Sequence, residues 1–327
     1  MINWGIIGLG NMATKFANSI KELDNAKLIG ISSQSKQKLK EFGDRFDIKE
    51  KYRFNDYSEI LNSKEINSIY ISTLNNTHAN LITSAANKKK NILCEKPFAI
   101  NLEEAEIINN DIKTSKVFFF EAIAYRAHPQ TAEVLKIIKD NEIGEIEKIE
   151  CSFGFKFKKI KKDSRLFNKD YGGGAILDLG CYPISFMHLF SKTDEDTKIL
   201  QINGSRALTG VDDYAEISLL INNKIQGKAK VSFKENYNNN CIIYGKKGSI
   251  TIPSPWSPEK KCYIEIKKDG NYFKKFINSP KDVYTLQIES VSNSLNKDNQ
   301  TGNDLLIDID KSLKIMKVLN TWSKKIL

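Results

Sequence analysis

Lys96 stands in "ILCEKPFA" (92–99), where an apolar run ends and a lysine is set between Glu95 and Pro97. The proline fixes the backbone just after Lys96 and biases it away from helical geometry. A cation held at such a point polarises a carbonyl or lowers the pKa of a neighbouring hydroxyl. The plainer alternative is a surface lysine at a strand end. A second stretch, "DYGGGAILDLGCYPISFMHLF" (170–190), carries Asp178 and Tyr182 four residues apart, hence on one helical face. Tyrosine, with a pKa near 10, is a poor base at neutral pH unless a cation stabilises its phenolate, which Lys96 could supply. Taken alone, the spacing favours an amphipathic core tyrosine beside a surface aspartate. Pro183 removes the helical hydrogen bond to Leu179 and predicts a kink there.

A third stretch, "NWGIIGLGNMATKFANSI" (3–20), reads as a strand, then Gly8-x-Gly10-x-x-Ala13, then a helix. Glycines permit a tight turn and close backbone approach, and the helix N-terminus offers free N–H groups to a pyrophosphate. The context, directly after a strand and within a βαβ unit, is the one this dinucleotide fingerprint requires. At the end of the second strand, "IGISSQSKQK", an NAD site usually places an acidic residue for the ribose 2′-hydroxyl. No carboxylate occurs from Leu28 to Lys40. Ser33, Gln34 and Lys38 offer instead neutral donors and a cation, which suit a 2′-phosphate; the alternative is a polar helix cap with solvent-exposed lysines.

The elements that must position these groups follow from periodicity. Through residue 121, strands at 3–7, 27–32, 68–73, 91–95 and 116–121 alternate with helices near 11–23, 35–46, 78–88 and 102–113. Such alternation predicts a parallel sheet covered by helices on both faces. After a helix at 129–140 come strands near 145–157, 198–206, 213–221, 225–234, 240–252 and 261–267. Ile225, Gly227, Ala229 and Val231 alternate with polar neighbours, as in an antiparallel sheet with one solvated face. A Gly-rich helical segment at 172–190 interrupts the series, and helices at about 281–296 and 305–325 close it. The fold class expected is α/β: a Rossmann-type parallel-sheet domain (1–122), then an α+β domain (123–327) with a large open, mainly antiparallel sheet.

Bulk properties narrow the function. The 327 residues suffice for two cores, and 40% hydrophobic with 28% charged residues is ordinary globular composition. No apolar run nears the roughly 20 residues of a membrane span, and the first residues enter a strand with no basic leader, so a cytoplasmic protein is expected. Five scattered cysteines, none in a C-x-x-C pair, argue for reduced thiols over disulfides or zinc. The net charge of +10 invites a nucleic-acid reading, yet the lysines are dispersed. In the densest cluster, "FGFKFKKIKK" (153–162), Phe153, Phe155 and Phe157 fall on one strand face and Lys156 and Lys158 on the other, a solvated sheet face. Neither nucleic acid nor membrane is expected as a partner.

Together, "GLGNMA", "CEKPFAI", "EAIAYRAHPQ" and "GGGAILDLGCYPI" resemble the glucose–fructose oxidoreductase / inositol dehydrogenase (Gfo/Idh/MocA) family over nearly the whole chain. "DSRLFNKDYGGGAILDLGCYP" and "IPSPWSP" look most like its dihydrodiol dehydrogenase and NADP-dependent xylose dehydrogenase branch. The resemblance implies that Lys96, Asp178 and Tyr182 are catalytic, with tyrosine as acid/base where many relatives have histidine. It places cofactor contacts on Gly8, Gly10, Asn11, Met12, Ser33, Gln34, Lys38, Thr73, Asn75, His78 and Glu95. Two departures stand out: Thr73-Leu74-Asn75 for the usual T-P-N, and Ser33-Gln34 for the usual S-R. An amide grips a phosphate less well than a guanidinium.

Of the remaining candidates, Arg126 and Arg165 are read as substrate-binding and His188 as packing. Trp256, among Pro253, Pro255 and Pro258, either walls a sugar-sized pocket or covers a sheet edge. The expected protein moves hydride between NADP(H), with NAD(H) as the lesser cofactor, and a secondary alcohol or hemiacetal carbon of a sugar, polyol or cyclic diol. It is expected to form a homodimer, or a dimer of dimers, through the open sheet face. The rival within enzymes is a nucleotide-sugar ketoreductase using Lys156 to Lys162. The rival from another class is a non-catalytic dinucleotide-binding regulator, which would need neither the lysine nor the tyrosine.

Overall fold

The computed structural model describes residues 1–158, 164–191, 197–296 and 305–326. The chain divides into two compact units: Met1–Ala127 with Lys281–Leu313, and His128–Pro280 with Lys314–Leu327. The first unit thus takes in a late segment that periodicity assigned to the second domain.

The first unit begins with β1 (Ile2–Ile7), α1 (Asn11–Ile20), β2 (Ala26–Ser32), α2 (Lys36–Arg45), β3 (Arg53–Phe54), α3 (Tyr57–Asn62), β4 (Ser68–Ile71), α4 (His78–Asn87), β5 (Asn91–Cys94), α5 (Leu102–Ser115) and β6 (Phe119–Glu121). These strands pair in parallel, in the order β6-β5-β4-β1-β2-β3. Trp4, Ile6, Ile7, Ile69, Ile71, Leu93 and Cys94 are fully buried, as expected of strands covered on both faces. α1 seats Ala13, Phe16, Ala17 and Ile20 on the sheet at helical spacing. Phe16 stacks on Tyr70 and meets Trp4 edge-on.

The second unit holds α6 (Pro129–Lys139), β7 (Ile146–Gly154), α7 (Cys181–Met187), β8 (Thr197–Arg206), β9 (Asp212–Ile221), β10 (Ile225–Ser232), β11 (Asn240–Gly245), β12 (Gly248–Pro253), β13 (Lys261–Lys268) and β14 (Asn271–Asn278). The strands form one sheet ordered β14-β13-β12-β11-β7-β10-β9-β8, antiparallel except for the β7–β10 pair. Ala215, Ile217, Ala229, Val231, Ile243 and Ile250 line its buried face. The expected strand at 240–252 is a hairpin, turned at Lys246-Lys247. β14 is hard to read from sequence because lysines and asparagines mask its alternation. The opposite face carries ion pairs, Lys148 with Glu150, Lys228 with Glu216 and Lys274 with Glu265.

Three late elements complete the fold: α8 (Val283–Asn296), β15 (Ile307–Asp308) and α9 (Ile309–Lys324). β15 adds an antiparallel edge to the first sheet beside β6. α8 packs on α1, and Ser292 accepts a hydrogen bond from the Trp4 indole at 3.1 Å. No helix among the described residues is long and apolar enough to cross a membrane. All five cysteines are free thiols, and Cys151 and Cys241 lie 3.3 Å apart across β7 and β11.

Candidate functional site

In the first unit the chain runs from β1 to β2 and β3 on one side, then to β4 on the other side of β1. That reversal opens a crevice at the carboxyl ends of β1 and β4, where dinucleotides bind in such sheets. Gly8 makes the turn at φ +90°, and a Cβ there would lie 2.6 Å from Thr73 Cγ2 and 2.9 Å from the Ser72 carbonyl oxygen. The Ser72 hydroxyl donates to the Gly8 carbonyl at 2.8 Å, tying β4's end to the turn. A Cβ on Gly10 would meet nothing within 4 Å, so the space over α1's N-terminus is open. Gly10 caps that helix with no side-chain hydrogen bond, which leaves the first-turn N–H groups to a ligand. The turn therefore fits a pyrophosphate. Asn11 is exposed and Met12 half-buried beside it.

At β2's end Ser33 is buried, and its hydroxyl oxygen accepts from the Ser35 N–H at 3.2 Å, leaving the O–H to donate elsewhere. Gln34 and Lys38 are exposed, and Ser35 caps α2 by accepting from the Lys38 N–H. Thr73 shares a 2.6 Å hydrogen bond with Thr77, and Asn75 is buried in the turn before α4.

Lys96 follows β5 at the same carboxyl edge of the sheet. Its backbone is held on both sides. The Glu95 N–H donates to the Ile71 carbonyl at 2.9 Å. His78, fully buried, lies with Nδ1 2.9 Å from the Pro97 carbonyl, which can only accept, so Nδ1 carries the proton. The Phe98 N–H donates to the Glu121 carboxylate at 3.2 Å. The Glu95 side chain accepts from the Tyr70 hydroxyl. The resemblance gives His78 a cofactor contact; its placed bond is to the segment that carries the lysine.

The second unit gathers another set. A π-helical turn, Ile176–Gly180, feeds α7 and carries Asp178; Tyr182 and Pro183 lie in α7's first turn. The expected kink takes this form, a π turn ahead of the proline. Arg165 Nη1 lies 3.3 Å from Asp178 Oδ1, which joins a proposed substrate group to a proposed catalytic one. The Tyr182 ring meets Phe153 edge-on at 5.3 Å and Trp256 at 6.2 Å. Trp256 is buried and donates from Nε1 to the Ser152 carbonyl at 3.1 Å. It walls the tyrosine. Arg126 is buried in the first unit and donates from Nε to the Leu305 carbonyl at 2.8 Å, a tie between distant chain segments. Lys156 is exposed, whereas Lys159, Lys161 and Lys162 lie outside the described residues.

Comparison with known proteins identifies the family. Residues 2–123 match the model of the oxidoreductase family with NAD-binding Rossmann fold, and 131–251 match the GFO/IDH/MocA C-terminal domain. The chain belongs to the Gfo/Idh/MocA oxidoreductase family. Among relatives, it is 29% identical over 98% of its length to an uncharacterised oxidoreductase of Rhizobium meliloti, covering 95% of that protein. It is 27% identical to the trans-1,2-dihydrobenzene-1,2-diol dehydrogenase of Danio rerio, over 79% of this chain and 76% of the other. Its fold is similar to that of an aldose-aldose oxidoreductase from Caulobacter crescentus complexed with glycerol (TM-score 0.89, 21% identity, 99% and 98% of the chains covered). It is also similar to a 3-ketoreductase from Actinomadura kijaniata in complex with NADP and TDP-benzene (TM-score 0.87, 19% identity, 99% and 98% covered).

For this member of the Gfo/Idh/MocA family, two carboxylates beneath the site segments lie beyond the reach of sequence reading. Glu121 lies under the lysine's backbone. Asp212 accepts from the Ile176 N–H at 2.7 Å and so holds the start of the π turn. Gly174, at φ +116°, leaves room for it, since a Cβ there would lie 2.4 Å from Asp212 Oδ1. The one sequence signal is a pair of adjacent acids, Asp212-Asp213, opening a strand that otherwise alternates apolar and polar residues. Burial raises Asp212 to about 6, against hydrogen bonds that pull it down. Because its folded pKa lies above the unfolded value, its contribution is favourable at low pH and is lost as pH rises through about 4 to 6. Asp212→Asn keeps an acceptor for Ile176 without that charge. Thermal unfolding should therefore show wild type losing stability relative to Asp212→Asn between pH 4 and 6, by on the order of 2–3 kcal/mol. A constant difference across that window would show that the carboxyl does not titrate there. Asp212→Ala, which strands the N–H, should cost about 1–3 kcal/mol at any pH.

Proposed function

We propose that this oxidoreductase prefers NADP(H) and moves hydride to or from a secondary alcohol or hemiacetal carbon of a sugar, polyol or cyclic diol. The nicotinamide, when bound, supplies or accepts the hydride. Tyr182 transfers the hydroxyl proton, Lys96 stabilises the phenolate and the developing oxyanion, and Asp178 with Arg165 orients the reacting hydroxyl. The observation that carries the reading is the backbone around Lys96, fixed by the Ile71 carbonyl before it and by His78 and Glu121 after it. A surface lysine needs no such support. The names of the diol dehydrogenase and sugar-acting relatives support the substrate class. A nucleotide-sugar ketone is the second reading, favoured by the TDP-benzene held in complex by the similar 3-ketoreductase.

Lys96→Met should lower turnover by on the order of 10²-fold or more while NADP(H) still binds, because the cation acts on the reacting oxygen. Tyr182→Phe should do likewise. A panel of aldoses, polyols and trans-cyclic diols followed at the NADPH absorbance would identify a substrate, and wild-type turnover in both variants would refute the mechanism.

The cofactor preference rests on a β2 end without a carboxylate and on Ser33, Gln34 and Lys38 at the start of α2. One charge-assisted hydrogen bond to a 2′-phosphate is worth roughly 1.5–3 kcal/mol, so NADP should bind about tenfold or more tighter than NAD. Fluorescence titration of both cofactors decides this, and Lys38→Ala should narrow the gap. Equal affinity would mean that these side chains serve only solvent.

The face of the second unit's sheet opposite α6 and α7 supports the reading of a homodimer. Phe276 there is 73% exposed and lies beside Tyr263. Light scattering at micromolar concentration should return twice the chain mass or a multiple of it; a monomer would count against this role for the sheet.

A further inference from the structure

Glu121 ends β6 in register with Cys94, two residues before Lys96, and is 3% exposed. One carboxylate oxygen accepts from the Phe98 N–H, two residues after Lys96. The other makes no hydrogen bond of ordinary length and angle; the buried Ser312 hydroxyl of α9 lies beside it. A buried carboxylate with incomplete hydrogen bonding costs stability unless it serves a charge nearby. The charge is Lys96, whose ammonium attracts it, while Glu95 repels it. The other titratable groups around it are accounted for: the Cys94 thiol on β5 is pushed up by burial, and Asp308 on β15 is paired with Lys311.

We propose that Glu121 is a positioning residue for Lys96: its carboxyl anchors the 96–98 segment and, when ionised, holds the Lys96 side chain as the ammonium. The proposal rests on the reading of Lys96 as the working cation, but it can be tested without turnover. Burial raises Glu121 to about 7, against the pull of the Ser312 hydroxyl, the Phe98 N–H and, after them, Lys96. Below that pH the carboxyl is neutral and does little for the lysine. Above it, the carboxylate raises the pKa of Lys96.

Only the neutral amine reacts with acetic anhydride, so trace labelling of the Lys96 peptide, read by mass spectrometry from pH 6 to 10, reports its protonation. In Glu121→Gln, Lys96 should label on the order of tenfold faster than wild type at pH 8, as if its pKa fell by about one unit, and at the same rate at pH 6. Glu121→Asp should restore part of the wild-type profile. Equal rates at both pH values would overturn the proposal. If Glu121→Gln does not fold, wild type alone decides: its log rate should rise with a slope below one between pH 6 and 8, where the carboxyl ionises, and a unit slope throughout would overturn the coupling. Turnover of Lys96→Met judges the catalytic reading separately, so that reading can fail while the coupling stands, and the reverse.

Discussion

The contact between Gly8 and the end of β4 is the constraint on which the first unit depends. Two strands and a helix start must converge within a few ångströms at the switch point, and a side chain at Gly8 would strike both Thr73 and the Ser72 carbonyl. Convergence frees the first-turn N–H groups of α1 toward open space, because no side chain caps them. An uncapped helix start is a loss for an isolated fold, since capping is worth about 1 kcal/mol. It becomes useful where an anion completes the cap. The same edge receives Glu95 and Lys96 from β5, so the place that binds a dinucleotide also presents a lysine.

Both units support their chemical segments in one way, with a buried carboxylate bonded to backbone N–H. Glu121 does this under the lysine segment and Asp212 under the π turn. A backbone donor fixes the segment's position whatever the side chains above it are doing. The charge on the acceptor is disfavoured by burial, which raises both groups toward neutrality. Each segment is therefore held by a group that burial makes sensitive to pH between about 6 and 7.

What the sequence disclosed was whatever repeats or punctuates. Apolar runs of four to seven residues alternating with amphipathic helices gave the first sheet, and period-two alternation in β9 and β10 gave the second. The Gly8 turn and the E-K-P segment were legible because glycine and proline restrict the backbone in ways that do not depend on distant neighbours. Partnership was not legible. Arg126 is read as a substrate residue from its neighbours in the chain, and nothing local foretells the bond from its Nε to the Leu305 carbonyl 179 positions later. His78 reads as a residue beside the cofactor, and its bond to the Pro97 carbonyl, 19 positions on, has no local mark. Glu121 carries no local mark, and Asp212 only the acid beside it, because burial, the property that defines them, is set by elements far along the chain. β15, two residues long, pairs with β6 across the whole second sheet's worth of sequence.

The Arg165–Asp178 pair shows why energetics helps where sequence stops. Arg165's side chain is 45% exposed and Asp178's 12%. A half-exposed pair of this kind contributes roughly 0–1 kcal/mol to stability, so stability is a weak reason for placing it there. Asp178 sits on a π turn, and such turns interrupt regular helix at a cost and gather at functional sites. The turn is kept in place by Asp212 below and Gly174 beside it, and it leads within two residues to Tyr182, whose ring is walled by Phe153 and Trp256. A π turn, a glycine at positive φ and a buried carboxylate meet beside one aspartate and one tyrosine. Their convergence makes the proposed roles of these two side chains a question of positioning, which the energetics of α7 by itself does not address.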